Sequence, residues 1–112
     1  MSQHIYETTF RGRPIEVTLG WDRPLRGFYM YILYADCDNE EEFLFSNLKQ
    51  AVAFPPSLDP YKSTLICLGI TLPESMFAQA AADQRRDVVN RVCLHSADGW
   101  NEIDGGNART TE

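Results

Sequence analysis

The sequence predicts an α+β fold, in which an antiparallel four- to five-stranded meander sheet carries a two-helix hairpin on one face, in the order β-β-β-β-α-α-β. Two observations lead to this fold class. Apolar and polar residues alternate with a period of two in parts of the first half of the chain, as in half-buried strands. After the proline pair at 55–56, apolar residues recur at helical spacing, until a last apolar run at 88–95 predicts a fifth strand.

Four segments of the first half predict the meander: residues 3–10, 14–20, 28–35 and 42–46. In the second segment, Ile15, Val17 and Leu19 share one face, which indicates a strand with one buried side. The third segment, F-Y-M-Y-I-L-Y-A, is apolar or aromatic on both faces. Strands of this kind lie in the interior of a sheet, so we expect aromatic surface on the face that the helices leave uncovered.

Both predicted helices carry signals at their ends. In the first, Asp59 is a good N-cap, Pro60 suits the first helical position and Gly69 suits the left-handed residue after the last turn. The second ends with Arg85 and Arg86, whose charges favour the carbonyl end of the helix dipole. The two helices should pack as a hairpin on the sheet.

The chain of 112 residues predicts a single α+β domain, which we place at residues 1–96. Residues 97–112 are polar and contain glycine, and we expect a loosely ordered C-terminal tail there.

Composition excludes several classes of function. The net charge of −6 argues against direct binding to nucleic acid or to an anionic membrane. The apolar runs are too short for a membrane span, and the N-terminal residues lack a signal-peptide pattern, so we expect a cytoplasmic protein. Three widely spaced cysteines do not form a disulfide framework. No cofactor is expected, because the sequence has neither G-x-G-x-x-G nor a Walker loop.

Residues 20–28, G-W-D-R-P-L-R-G-F, connect the second and third predicted strands. The glycines, the proline and an aspartate whose carboxylate can accept backbone N–H groups explain the segment as a turn. The other side chains, Trp21, Arg23 and Arg26, are of the types enriched at protein–protein hot spots. Two interpretations therefore stay open, a structural corner and a corner that also contacts a partner.

The motif G-W-D-R-P-L, followed by an aromatic-aliphatic strand, resembles the opening of small proteobacterial accessory proteins of no known activity. Some of these are associated with plasmids, integrative elements or genomic islands. The stretch L-x-x-L-G-I-x-L-P-E-S-M-F at 65–77 is similar as well. The resemblance implies a bacterial accessory protein and transfers no functional residues.

The function that the sequence favours is a non-enzymatic protein–protein interaction module, such as a small acidic regulator or inhibitor of another bacterial protein. The predicted partner-binding residues lie on the corner and on the third strand: Trp21, Arg23, Arg26, Tyr29, Tyr31 and Leu33. Exposed aromatic side chains favour burial against a second copy, so we expect a homodimer. Acidic side chains at the rim of the surface would attract a basic partner, such as a transcription regulator.

Two alternatives stay open. Cys93 and His95 lie two residues apart on one predicted strand, so they share a face and could serve a small thiol-dependent enzyme. The acidic turn at 36–42 has carboxylates at alternate positions, which calcium favours, but it lacks the glycine and the following helix of a calcium loop. The sequence favours zinc even less than calcium, because no paired cysteine or histidine ligands occur at finger spacing. We predict no catalytic residues and no metal site.

Overall fold

The computed structural model describes residues 2–35, 43–87, 90–96 and 98–103. The strands are β1 (Ser2–Phe10), β2 (Arg13–Asp22), β3 (Gly27–Tyr34), β4 (Phe43–Ser46), β5 (Arg91–Ser96) and β6 (Gly99–Ile103). A short 3₁₀ helix, Asn47–Lys49, follows β4, and the α-helices are α1 (Asp59–Leu68) and α2 (Glu74–Arg86). The predicted α+β class is confirmed.

The described strands form one mixed sheet in the order β4-β3-β2-β1-β5-β6. β1 to β4 are the predicted antiparallel meander, with β3 in the interior between β2 and β4. The prediction of a purely antiparallel sheet of four to five strands was wrong in two respects. β5 pairs with β1 in parallel, and residues 99–103, which were expected in the loose tail, form β6 beside β5.

The position of β5 follows from where the chain leaves α2, and β6 then turns back beside β5. The meander leaves one edge of β1 unpaired, and the chain runs from β4 through α1 and α2 to that edge. The alternation of apolar residues shows that a strand exists, but it specifies neither the neighbour of the strand nor its direction. Residues 36–42 and 104–112 lie outside the described residues.

The core lies between the α-helices and one face of the sheet. Inward-facing side chains of β2 and β3 stand opposite each other along the ladder, from Trp21 and Phe28 to Ile15 and Tyr34. The helices pack on this face with the following buried side chains: Tyr61, Leu65, Met76 and Ala80. We call the opposite face, which neither of the two α-helices covers, the open face; the short 3₁₀ helix Asn47–Lys49 lies beside it. None of the described helices is both long enough and apolar enough to cross a membrane.

The predicted C-terminal signal of α1 is confirmed, whereas the prediction that Asp59 is its N-cap was wrong, since no side chain caps this helix end by a hydrogen bond. The N-cap position is Leu58, so Asp59 and Pro60 occupy the first two helical positions. Gly69 takes the left-handed conformation with φ 76°, as predicted, and its N–H donates to the carbonyl of Ile66 at 3.1 Å. The turn into α2 therefore begins where the sequence places it.

Gly20 leaves room for the Tyr29 side chain to reach the first residue of β1 across the open face. Tyr29 stands opposite Gly20 in the β2–β3 ladder, and its hydroxyl donates to the carbonyl oxygen of Ser2. A Cβ at position 20 would overlap that carbonyl oxygen and lie 2.7 Å from the Tyr29 ring. The close approach of three strands is therefore the reason for a glycine at this position.

The change Gly20→Ala should lower the free energy of unfolding by about 1–3 kcal/mol, because the added methyl group must displace β1 or the Tyr29 ring. Urea denaturation measures the loss. The control is Ser63→Ala at an exposed position on α1, where we expect a change within about 0.5 kcal/mol. Equal midpoints for the two variants would contradict the close approach at Gly20.

Candidate functional site

The predicted partner-binding residues lie in three separate places, the first of which is the core. Trp21 is 2% exposed, and its ring meets Phe28 edge-on with 5.3 Å between the centroids. The indole N–H has no hydrogen-bond partner among the described residues. Because the ring is buried, Trp21 has no exposed surface with which to contact a partner, and the structural interpretation of the corner accounts for it.

The second place is the turn between β2 and β3, where two arginines meet the end of α2. The Asp22 carboxylate accepts the N–H of Leu25 at 3.2 Å, as predicted for this turn. Arg23 and Arg26 contact the carboxylate of Asp87, at 3.1 and 3.4 Å. The three charged side chains are between 36% and 69% exposed, so solvent screens the pairs and they contribute little to stability. The two ion pairs connect the turn to the C-terminal end of α2. This turn precedes β3, whereas Leu33 lies near the other end of that strand.

The third place is the open face, which carries the predicted aromatic residues of β3. Tyr29 is buried, whereas Tyr31 and Leu33 are half-buried. Tyr31 stacks on Tyr29 with 6.1 Å between centroids and meets Phe43 edge-on at 6.2 Å. Phe43 and Leu48 are exposed, at 38% and 70%. Tyr31, Leu33, Phe43 and Leu48 line one shallow depression, which we call the open-face patch.

A second cluster, which the sequence did not predict, lies on the helix side of the sheet between α2, β1 and β5. Asp83 Oδ2 lies 2.6 Å from His4 Nε2, and His4 Nδ1 lies 3.0 Å from His95 Nε2. His95 Nδ1 lies 2.8 Å from Ser75 Oγ. Asp83, His4 and His95 are buried and Ser75 is half-buried. We call these four residues the buried histidine network.

The sheet register and the helix period bring these side chains together. His4 stands opposite Cys93 in the parallel β1–β5 ladder, and His95 is the next residue of β5 on the same face. Ser75 and Asp83 lie about two turns apart on α2, so they share the side of the helix that faces the strands. One helix therefore supplies both ends of the network, and two strands supply its centre.

The donor and acceptor properties of the four side chains determine which nitrogen of each histidine carries the hydrogen. The Asp83 carboxylate only accepts, so His4 Nε2 carries a hydrogen. With His4 as the neutral imidazole, its Nδ1 accepts from His95 Nε2–H, and His95 Nδ1 accepts from the Ser75 hydroxyl. Burial is the largest cause that lowers the pKa of His95, to about 4, so that ring is neutral at neutral pH. Each hydrogen bond of the network is then donated in the direction of the Asp83 carboxylate, from Ser75 to His95, from His95 to His4 and from His4 to Asp83.

Arg91 balances the buried charge of Asp83. Its guanidinium donates to Asp83 Oδ1 at 2.8 Å and to Glu102 at 3.0 Å. Burial alone would raise the pKa of Asp83, but hydrogen bonds from His4, Ser2 and Arg91 outweigh it and hold the pKa below its usual value. A fully buried carboxylate can therefore stay ionised at this site.

Cys93 and His95 share a face of β5, as the sequence predicted. Cys93 is fully buried, and burial raises the pKa of its thiol to about 11. A thiolate nucleophile requires a lowered pKa and access to a substrate. The thiol-dependent alternative thus lacks an accessible thiolate, while the calcium alternative at 36–42 lies outside the described residues.

The sequence did contain one signal for the buried histidine network. Met76, Ala80 and Asp83 stand at i, i+4 and i+7 of α2, so Asp83 falls on the stripe that packs against the sheet. A carboxylate on such a stripe is rare unless it is paired. Its partner His4, however, lies 79 residues away, and no local pattern identifies it.

No protein-family model, no curated protein and no solved structure matches this chain. The resemblance to proteobacterial accessory proteins stays a prediction. The open-face patch and the buried histidine network are therefore the features from which a function can be argued.

The change Asp83→Asn removes the charge that Arg91 and His4 share, while it keeps the shape of the side chain. We expect the free energy of unfolding to fall by about 3–5 kcal/mol, because a buried cation loses its partner. The matched control is Asp87→Asn, whose partners are exposed arginines, with an expected loss of at most about 1 kcal/mol. Urea denaturation at neutral pH compares them, and similar losses in both variants would contradict the structural role of Asp83.

Native alkylation should distinguish the two described cysteines. Cys67 is exposed on α1, whereas Cys93 is buried with a pKa of about 11, so about one Cys93 thiol in ten thousand is ionised at neutral pH. We expect iodoacetamide to label Cys67 in the folded protein and Cys93 only after denaturation, as mapped by mass spectrometry. Rapid labelling of Cys93 in the folded protein would instead support the thiol-dependent enzyme.

Proposed function

We propose that this protein is a non-enzymatic binding module whose open-face patch takes up a basic segment of another polypeptide. The observation that carries the proposal is a shallow depression of aromatic and aliphatic side chains on a sheet face that neither α-helix covers. In this proposal the protein acts by covering a cationic surface of its target. A small acidic regulator or inhibitor of a basic protein, such as a transcription regulator, would work in this way.

The open-face patch has the composition of an interface centre. Tyr31 and Phe43 are aromatic, and aromatic side chains are enriched at the buried centres of interfaces. Leu48, at 70% exposure, would bury additional apolar area. Leu33 pairs with Phe43 in the β3–β4 ladder, so part of the patch is held by backbone hydrogen bonds. A surface held in this way loses little conformational freedom when a partner binds.

The charges beside the patch favour a basic partner. Residues 36–42, which connect β3 to β4, include five acidic residues and are followed directly by Phe43. Glu16 stands opposite Leu33 in the β2–β3 ladder and opposite Glu7 in the β1–β2 ladder, so these carboxylates share the open face. Acidic side chains around an apolar centre attract cationic segments and repel acidic ones.

The same charges disfavour a dimer in which two patches meet. Such a dimer would bring together two copies that each have a net charge of −6 and that each carry Glu7 and Glu16 on the same face as the patch. The homodimer predicted from the sequence would therefore use another surface. Sedimentation of the protein alone tests for it.

Replacing Phe43 and Leu48 together by glutamate should weaken binding at the patch, because two carboxylates would then lie in its apolar centre. The matched control replaces Ser63 and Ile66 by glutamate, which adds the same charge at exposed positions of α1. Wild type and both variants are immobilised, incubated with bacterial lysate, and the retained polypeptides are quantified by mass spectrometry. We expect wild type and the control to retain the same basic polypeptide. The patch variant should retain about tenfold less of it, which corresponds to a loss of about 1.4 kcal/mol in binding free energy.

Two results would overturn this function. One is a set of retained polypeptides that does not differ between the patch variant and the control. The other is a partner that depends on the patch but is acidic, since the charge argument would then be wrong. A dimer that persists in the patch variant would place the homodimer interface elsewhere and leave the patch free for a different partner.

A further inference from the structure

Three potential metal ligands converge at the centre of the buried histidine network. The ring nitrogens His4 Nδ1 and His95 Nε2 are 3.0 Å apart. The ligand atoms of His4, His95 and Cys93 all lie within 4.8 Å of one another, and all three side chains are buried. Imidazole nitrogen and thiolate sulfur are the donors that zinc and similar thiophilic ions prefer.

The outer nitrogen of each histidine already lies beside an oxygen partner of the kind that metal-binding histidines have. His4 already has the tautomer that metal binding requires, whereas His95 must change its tautomer. His4 Nε2 donates to the Asp83 carboxylate, which leaves the lone pair of Nδ1 facing the centre. The Ser75 hydroxyl can accept from His95 Nδ1–H, and Nε2 then presents its lone pair to the same point. Carboxylate and hydroxyl partners of this kind fix the tautomer and the orientation of a histidine that binds a metal.

We propose that His4, Cys93 and His95 form a binding site for one Zn²⁺ ion. Tetrahedral zinc, with bonds of about 2.0–2.1 Å to nitrogen and about 2.3 Å to sulfur, places its nitrogens about 3.3 Å apart and its sulfur about 3.6 Å from each. The ring nitrogens are close to this spacing, and the sulfur needs to move by at most about 1 Å. Three protein ligands leave the fourth tetrahedral position for water or a small anion.

Binding exchanges one proton for the ion. The Cys93 thiol releases its proton to solvent, and the thiolate forms the Zn–S bond. The His95 proton moves from Nε2 to Nδ1 and stays there, so that Nδ1–H donates a hydrogen bond to the Ser75 oxygen and Nε2 coordinates the ion. His4 keeps its proton on Nε2, toward Asp83, and coordinates through Nδ1. Each site therefore takes up one Zn²⁺ and releases one H⁺.

The charges of the surroundings suit a buried dication. The Cys93 thiolate and the Asp83 carboxylate together balance the two positive charges of the ion. Arg91, which balances Asp83 when zinc is absent, also contacts the Glu102 carboxylate at 3.0 Å. A compensated ion is far less costly to bury than an isolated one.

This site is independent of the proposed binding function. The ligands lie on the helix side of the sheet, whereas the open-face patch lies on the other side. In the metal-free protein every group of the network has a hydrogen-bond partner, so we expect the chain to fold without zinc. The metal-free protein is therefore the starting point of the test.

The test uses a variant in which Cys37 and Cys67 are alanine, so that Cys93 is the one cysteine of the sequence. The protein is treated with chelator, checked for folding by circular dichroism, and titrated with Co²⁺ as a spectroscopic substitute for Zn²⁺. We expect one Co²⁺ per chain, a thiolate-to-cobalt charge-transfer band, displacement of the cobalt by Zn²⁺, and a higher thermal midpoint with Zn²⁺. Adding Cys93→Ala should remove the band and weaken Zn²⁺ binding about 100-fold.

A folded protein with no saturable band at stoichiometric cobalt overturns the proposal, as does a band that persists after Cys93→Ala. If Cys93→Ala does not fold, X-ray absorption spectroscopy of the zinc-loaded parent variant decides. One sulfur and two imidazole ligands support the site, and a zinc shell without sulfur overturns it. Because none of these changes touches the open-face patch, the outcome does not depend on the result of the partner-binding experiment.

Discussion

The buried carboxylate of Asp83 links the second half of the chain to the first strand. It lies on α2 and accepts hydrogen bonds from His4 of β1 and from Arg91 of β5. Taking a carboxylate out of water costs several kcal/mol, so this arrangement is stable only when its partners are in place. The parallel pairing of β1 with β5 puts them there. The order of the strands and the polar network therefore depend on each other.

The two faces of the sheet carry different kinds of chemistry. The helix side combines an apolar core under β2 and β3 with ionisable groups under β1 and β5, where burial shifts their pKa values. The open face carries aromatic side chains near β4 and carboxylates near β1, and neither α-helix lies above them. A binding surface and a buried polar site can thus coexist in a small domain, because the sheet separates them.

Local signals predicted the parts of the fold that depend on neighbouring residues. The meander, the Asp22 turn, the end of α1 at Gly69 and the interior position of β3 are set by alternation, turn chemistry and helix capping. The site was predicted less well. Trp21 belongs to a hot-spot residue type but lies in the core, and Arg23 and Arg26 pair with Asp87, because α2 packs beside the turn.

The sequence by itself determined the α+β class, the four-stranded meander, the two helices and the aromatic character of β3, since each of these follows from spacing within a short segment. Only the tertiary structure decided that β5 joins β1 in parallel, that β6 extends the sheet, and that His4, Asp83 and His95 meet. These contacts join residues that are distant in the sequence. The free energy of burying a charge depends on all of its partners at once, and no segment read alone contains them.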